Sequence, residues 1–204
     1  MKNKCKGLIF YSKKIKDNDL YIRVLSSNDN VISGMVYGGN SSKKRKIYQN
    51  GFFIEFTTSR KNVNSPPIFL ADLISPYISN IFEDKYKMSA LLSILSLIKL
   101  SIIEGQNITN IYKKVEYLII NIIKNKHWII SYCEWLFDLL KLIGYQIDYK
   151  KNNKKFYSLK EEKFYQISKN SCIEFPHKLF TTSSGINYNN INAIFTIFEY
   201  IFLT

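Results

Sequence analysis

The sequence predicts an α+β protein: a small five-stranded antiparallel barrel, followed by an all-helical C-terminal domain. Three observations predict it. Five short β-forming runs alternate with turn chemistry as far as Ser75-Pro76. Beyond that point apolar residues recur at three- and four-residue steps. No segment between the early strands is long enough for a helix that crosses a parallel sheet. Apolar residues make up 46% of the 204, with 15% aromatic, which is ample material for a core.

The strands follow in order. Lys6 to Ile15 carries Leu8, Ile9, Phe10 and Tyr11, and Asp17-Asn18-Asp19 turns the chain. Leu20 to Leu25 is the second strand. Ser26 to Asn30 makes a hairpin turn in which Asn30 suits the left-handed conformation. Val31 to Tyr37, Phe52 to Thr58 and, after Pro66-Pro67, Ile68 to Ile74 complete the set. The helices are Lys85 to Glu104, stopping near Gly105, then Thr109 to Lys126, Trp128 to Ile143 closed by Gly144, and Asn190 to Leu203. Lys150 to Asn170 is polar and poorly periodic, a loop or weak hairpin. The change of texture divides the chain into residues 1–76 and 77–204.

The charge is lopsided: 29 Lys and Arg against 16 Asp and Glu, a formal +13. Such a balance favours polyanions as partners. An AT-rich codon bias accounts for many lysines but not for their clustering at Lys43, Lys44, Arg45 and Lys46, just after a Gly-Gly-Asn-Ser-Ser hinge. Cys5, Cys133 and Cys172 are odd in number and far apart, which argues against disulfides and zinc. The N-terminal apolar run is too short for a signal peptide, and Met88 to Ile103, interrupted by Lys99, is too short for a membrane span. A reducing, cytoplasmic setting is expected.

No nucleophile elbow, phosphate loop or dinucleotide fingerprint occurs, and His127 and His177 fit no metal spacing. The residues therefore point to a binding protein, not an enzyme, with neither cofactor nor metal. Lys43, Lys44, Arg45 and Lys46 are joined by Lys13, Lys14 and Lys16 before the first turn, Arg23 in the second strand and Arg60-Lys61 after the fourth. In a small barrel the first and third loops can project near one another. Interleaved Tyr11, Tyr21, Tyr37, Tyr48 and Phe52 offer faces for bases. Single-strand binding needs both cations that track phosphates and rings that stack bases.

The order of these features resembles the RecO family of bacterial recombination mediators. Gly7-Leu8-Ile9-Phe10, then Ile15 to Asp19, then Leu20 to Ser26 follow the family's opening strand, turn and second strand. Tyr37-Gly38-Gly39 leads into the basic stretch where the family has Arg-Gly-Ala/Gly. Tyr48 to Gly51 loosely matches its Pro-Gly-like turn, and Ile143-Gly144-Tyr145-Gln146-Ile147-Asp148-Tyr149 resembles its Leu-Gly-Tyr-x-Pro-Asp-Leu helix terminus. The family's arginine is Tyr37 here and its proline Ile147. Many relatives carry a four-cysteine zinc module after this terminus; the lysine- and asparagine-rich stretch Lys150 to Lys155 implies its absence. The chain ends at Thr204, short of typical members, which implies a trimmed helical domain.

The resemblance implies an OB-fold domain over 1–76 and a helical domain over 77–204. It also implies a DNA repair and recombination mediator that binds single-stranded DNA, anneals complementary strands and helps load recombinase with RecR. The expected partners are single-stranded DNA, the C-terminal tail of the single-strand binding protein and RecR, with no membrane, in the cytoplasm and at the nucleoid during repair. Whether duplex DNA is also bound is left open. Lys113, Lys114, Lys124 and Lys126 are candidates to receive the acidic tail, and Tyr48 joins the cations as a candidate nucleic-acid contact. Two other classes compete: an RNA-binding OB-fold protein and an adaptor for acidic partner tails. The extensive helical domain weighs against the first.

Overall fold

A computed structural model describes residues 4–15, 18–75, 77–168 and 171–203. It divides into two compact units, residues 1–123 and 124–204.

The first unit is built on a closed barrel with strand order β1-β2-β3-β5-β4. The strands are β1 (Cys5–Lys14), β2 (Leu20–Ser26), β3 (Val31–Val36), β4 (Phe53–Ser59) and β5 (Ile68–Ser75). Each lies within one or two residues of its expected span. This is an OB-fold barrel. Most pairings are antiparallel, but β3 closes on β5 in parallel at Met35 and Ile68. The closure depends on Gly34, where a Cβ would stand 2.2 Å from the Pro67 carbonyl oxygen. That same oxygen accepts from Met35 N–H at 2.8 Å.

The uninterrupted apolar run Leu8-Ile9-Phe10 reflects burial on both faces of β1. Ile9 points into the barrel with Leu20, Ile22, Val24, Ile54, Phe56 and Phe69. Alternation sends Leu8 and Phe10 to the opposite face, against which α1 (Lys85–Ser101) packs. A register shift between Ile9 and Tyr11 bends the strand so that it pairs with β4 at its start and β2 throughout. Phe53 on β4 meets Tyr77 and Tyr112 edge to face at centroid distances of 5.5 and 6.4 Å. Those contacts fix the short 3-10 turn Tyr77–Ile81 and α2 (Ile111–Lys124) against the barrel.

The hairpin turn between β2 and β3 corrects one expectation. The left-handed residue is Asp29, at φ 61°, not Asn30. Asp, like Asn, tolerates this conformation, and it aims the Asp29 carboxylate at the start of α2. The chain between the helices runs along β3: Asn107 bridges Asn30, and Glu104 accepts from Ser33 N–H at 3.1 Å. Backbone groups on that part of β3 are thereby satisfied and not left as an open edge. Asp84 caps α1, accepting from Tyr86 and Lys87 N–H at 3.0 and 3.1 Å.

The second unit contains α3 (Trp128–Leu142) and α4 (Tyr188–Leu203). Gly144, at φ 105°, ends α3, and Tyr145 N–H returns to the Leu140 carbonyl at 2.9 Å. The segment read as a loop or weak hairpin holds a three-stranded sheet. Its hairpin is β6 (Phe156–Ser158) with β7 (Lys163–Tyr165), and β8 (Cys172–Glu174) adds the strand that the sequence did not reveal. Rings of Phe137, Tyr149, Phe164, Phe175 and Phe180 pack together beside it, with Tyr149 and Phe180 centroids 4.7 Å apart. Among the described residues no group of three His, Cys, Asp or Glu side chains could hold a metal ion, and no helix is long and apolar enough to cross a membrane.

Candidate nucleic-acid interface

Three loops meet at one end of the barrel, and backbone hydrogen bonds hold them there. After β3 the chain turns at once, and Gly38, at φ 65°, donates its N–H to Asp19 Oδ1 in the first loop at 2.8 Å. Two residues on, Asn40 N–H donates to the Asn18 carbonyl at 2.8 Å. The β4–β5 loop arrives by the Met35–Pro67 bond already described. The first, third and fourth loops therefore share one rim.

Lys43, Lys44, Arg45 and Lys46 occupy a tight run of turns on this rim, and all four are exposed. Arg45 N–H bonds to the Ser41 carbonyl at 2.8 Å and Ile47 N–H to that of Lys44 at 2.8 Å, so the segment has a defined shape. Lys44 Nζ donates to the Tyr37 carbonyl at 2.8 Å. Among the described residues, the side chains of Lys43, Arg45 and Lys46 have neither hydrogen bond nor ion pair. Four neighbouring cations held without counter-charge repel one another and gain from an anion that neutralises them.

Lys13 and Lys14 are exposed at the end of β1, opposite Tyr21 and Leu20 of β2, beside the first loop. Lys16 and Asp17 lie outside the described residues. Arg60 is exposed in the fourth loop, where its Nη1 donates to the Val63 carbonyl at 3.1 Å. Its neighbour Lys61 places Nζ 5.5 Å from the centroid of the Tyr37 ring.

Two of the expected contacts have other occupations. Arg23 is half-buried, donates from Nη2 to the Ile102 carbonyl at 3.2 Å and covers the Phe10 ring at 5.0 Å. Tyr48 is 4% exposed within the barrel core, where its hydroxyl accepts from Ala71 N–H at 3.0 Å. Burial pushes its phenol above the ordinary range. Phe52 is also buried. Tyr11 packs edge to face with Tyr21 at 6.4 Å and is covered by Lys99 of α1 at 4.4 Å. No local signal links Lys99 to the barrel; the pairing exists because α1 lies on β1. Tyr37, at 44% exposure, is the large ring of this set left open to solvent.

The four lysines expected to receive an acidic tail stand at the two ends of α2. Lys113 and Lys114 are exposed in the first turn of α2, Lys124 is its last residue, and Lys126 follows it. Ten residues of helix separate Lys114 from Lys124 by about 15 Å. In the second unit an open groove of about 1380 Å³ lies among Tyr149, Phe175, His177 and the start of α4. Its lining mixes Lys150, Lys155 and Lys178 with Glu134 and Glu174, and His177 Nε2 shares a hydrogen bond with the Lys154 carbonyl at 2.9 Å.

The chain is similar in sequence to proteins named for DNA repair. It is 32% identical over 146 residues to the DNA repair protein RecO of Rickettsia canadensis, covering 71% of this chain and 59% of that protein. The RecO protein of Rickettsia akari is 32% identical over 143 residues, covering 70% and 59%. That of Hyphomonas neptunium, outside the genus, is 25% identical over 144 residues, covering 70% and 59%. The chain belongs to the RecO family. The match spans about three fifths of the length of these RecO proteins. No family model matches the sequence.

Proposed function

We propose that this RecO-family chain acts in DNA repair and recombination as a mediator without catalytic activity. In this reading residues 1–76 are the nucleic-acid-binding domain and bind single-stranded DNA along the rim of the barrel. The chain anneals complementary strands and, with RecR, helps recombinase to load. Residues 77–204 form the helical domain, with Lys113, Lys114, Lys124 and Lys126 as contacts for the acidic tail of the single-strand binding protein. The work takes place in the cytoplasm and at the nucleoid.

One observation carries the reading: three loops tied at one end of an OB barrel bring Lys13, Lys14, Lys43 to Lys46 and Arg60 around a single rim. Loops at this end of such barrels serve oligonucleotides elsewhere. Lysines without counter-charge release condensed counterions when they meet phosphates, which yields affinity independent of sequence. The names of the relatives agree with a repair role.

Fluorescence anisotropy of labelled single-stranded DNA across a salt series tests it. The protein is compared with a variant in which Lys43, Lys44, Arg45 and Lys46 are all alanine. Four phosphate contacts at about 0.7 each predict a log–log slope smaller by roughly 3 in the variant. Intact binding with an unchanged slope moves the DNA path off this loop. Absence of binding in both proteins rejects the mediator reading in favour of the adaptor for acidic tails.

A further inference from the structure

We infer that Tyr37 is the platform on which the rim stacks one unpaired base, so that this residue confers preference for single strands. The inference rests on the proposed DNA-binding role and names the group that reads strandedness. Cations alone cannot do so, because duplex and single strand both carry phosphates. A ring open on the surface can, because only an unstacked base presents its face.

Tyr37 has the required properties together. Its ring is exposed, while Tyr48 and Phe52 are buried and Tyr11 lies under Lys99. The peptide group that follows it is held at both ends: the Tyr37 carbonyl accepts from Lys44 Nζ at 2.8 Å, and the Gly38 N–H donates to Asp19 Oδ1 at 2.8 Å. On a backbone fixed there, the ring has only its own two side-chain torsions left to give up when a base settles on it. Lys61 Nζ lies over the ring, 5.5 Å from its centroid and farther off than Lys99 over Tyr11, and in this inference its flexible stem swings the cation to the phosphate when a base takes its place. Lys44 supplies a second, whose remaining protons are free to bond.

The ring sits at the junction of β3 with the third loop, immediately before the glycine at positive φ. It is therefore carried by the rigid barrel and not by the loop tip. The cations of Lys43 to Lys46 hold the backbone of the strand, and Tyr37 holds one base in register with them.

The test compares the intact chain with Tyr37→Ala, Tyr37→Leu and Tyr37→Phe, using anisotropy on three probes of one length: oligothymidylate, the same strand with abasic sites, and duplex. Tyr37→Ala and Tyr37→Leu are expected to weaken oligothymidylate binding by roughly 5- to 150-fold with the salt slope unchanged. Tyr37→Phe should bind as the unchanged chain does. The abasic strand and the duplex should show no difference among the four proteins. Tyr37→Leu keeps apolar bulk at the strand end, so a folding defect confined to the alanine variant does not obscure the result. Equal binding of oligothymidylate by all four, with the four-alanine loop variant still losing slope, overturns the role of Tyr37 and leaves the basic rim standing. A slope that falls in Tyr37→Leu overturns it as well, because the ring would then be supporting phosphate contacts. Loss of all DNA binding by the unchanged chain removes both proposals.

Discussion

The carboxylate of Asp29, in a β-hairpin turn, accepts the backbone N–H of Tyr112 at 3.0 Å, and its second oxygen accepts that of Asn110 at 2.7 Å. A turn residue of the barrel thus supplies the N-terminal cap of a helix 81 residues further on. The first turn of a helix has N–H groups without partners and a partial positive charge, and the ionised side chain answers both. The barrel and α2 are joined at this point by chemistry as well as by packing.

Asp29→Ala is expected to cost about 1 to 2 kcal/mol, because the cap is lost and alanine resists a positive φ. Asp29→Asn, which tolerates the backbone and keeps one acceptor, should cost less. Urea denaturation followed by circular dichroism should show a lower midpoint with an unchanged m-value. Equal midpoints for the three proteins would dissolve the link between turn and helix.

Arg23 joins β2 to the end of α1, through the Ile102 carbonyl and the Phe10 ring. Arg23→Ala is expected to lower stability by about 1 to 2 kcal/mol, since a charged hydrogen bond and a cation–π contact go together. The salt slope of DNA binding should stay the same. A slope smaller by about 0.7 would instead count Arg23 among the phosphate contacts.

Gly34→Ala forces a methyl group to within 2.2 Å of the Pro67 carbonyl oxygen, at the seam where β3 meets β5. Backbone, not a flexible side chain, must move. A loss of about 1 to 3 kcal/mol is expected, and hydrogen exchange at Met35, whose N–H bonds to Pro67, should accelerate. An unchanged Met35 rate would mean that the seam absorbs the methyl group.

Cys133 is fully buried in α3, and burial pushes its thiol up to about 12, helped by the neighbouring Glu134 carboxylate. The folded protein then binds this proton more tightly than the unfolded chain does. Stability from this source is complete below the unfolded thiol range and declines as pH rises from there toward 12. Tyr157, also pushed up to about 12 by burial, adds to the decline. Thermal melts should lose midpoint steadily above about pH 9, from the thiol, and more steeply above about 10, from the phenol. At pH 8, iodoacetamide should leave Cys133 unmodified by mass spectrometry until denaturant is added. Rapid labelling in the folded protein would show that α3 opens.

The strands and helices were legible because burial writes its period into the sequence: two residues in the barrel, three to four in the helices. The expected bounds shifted by a few residues at most, where caps such as Asp29 on α2 and turns such as Gly38 decide the last hydrogen bonds. The strand Cys172–Glu174 was not legible, since three residues carry no period. The basic run at Lys43 to Lys46 was legible as surface, because four adjacent charges have no place in a core.

The aromatic residues show where that legibility stops. Tyr37 and Tyr48 stand at either end of the same loop, and their neighbours look equally polar, yet one ring is open and the other plugs the barrel. Which of them is buried depends on Ala71, whose N–H meets the Tyr48 hydroxyl, and thus on how β5 returns. The same holds for Lys99 over Tyr11 and for Asp29 beneath α2. By itself the sequence determined the order of elements, the barrel-then-helix plan and the exposure of the basic loop, because each follows from local periodicity and the cost of burying charge. The tertiary structure alone decided which cations keep no partner and which ring faces the solvent, because those outcomes turn on contacts between residues tens of positions apart.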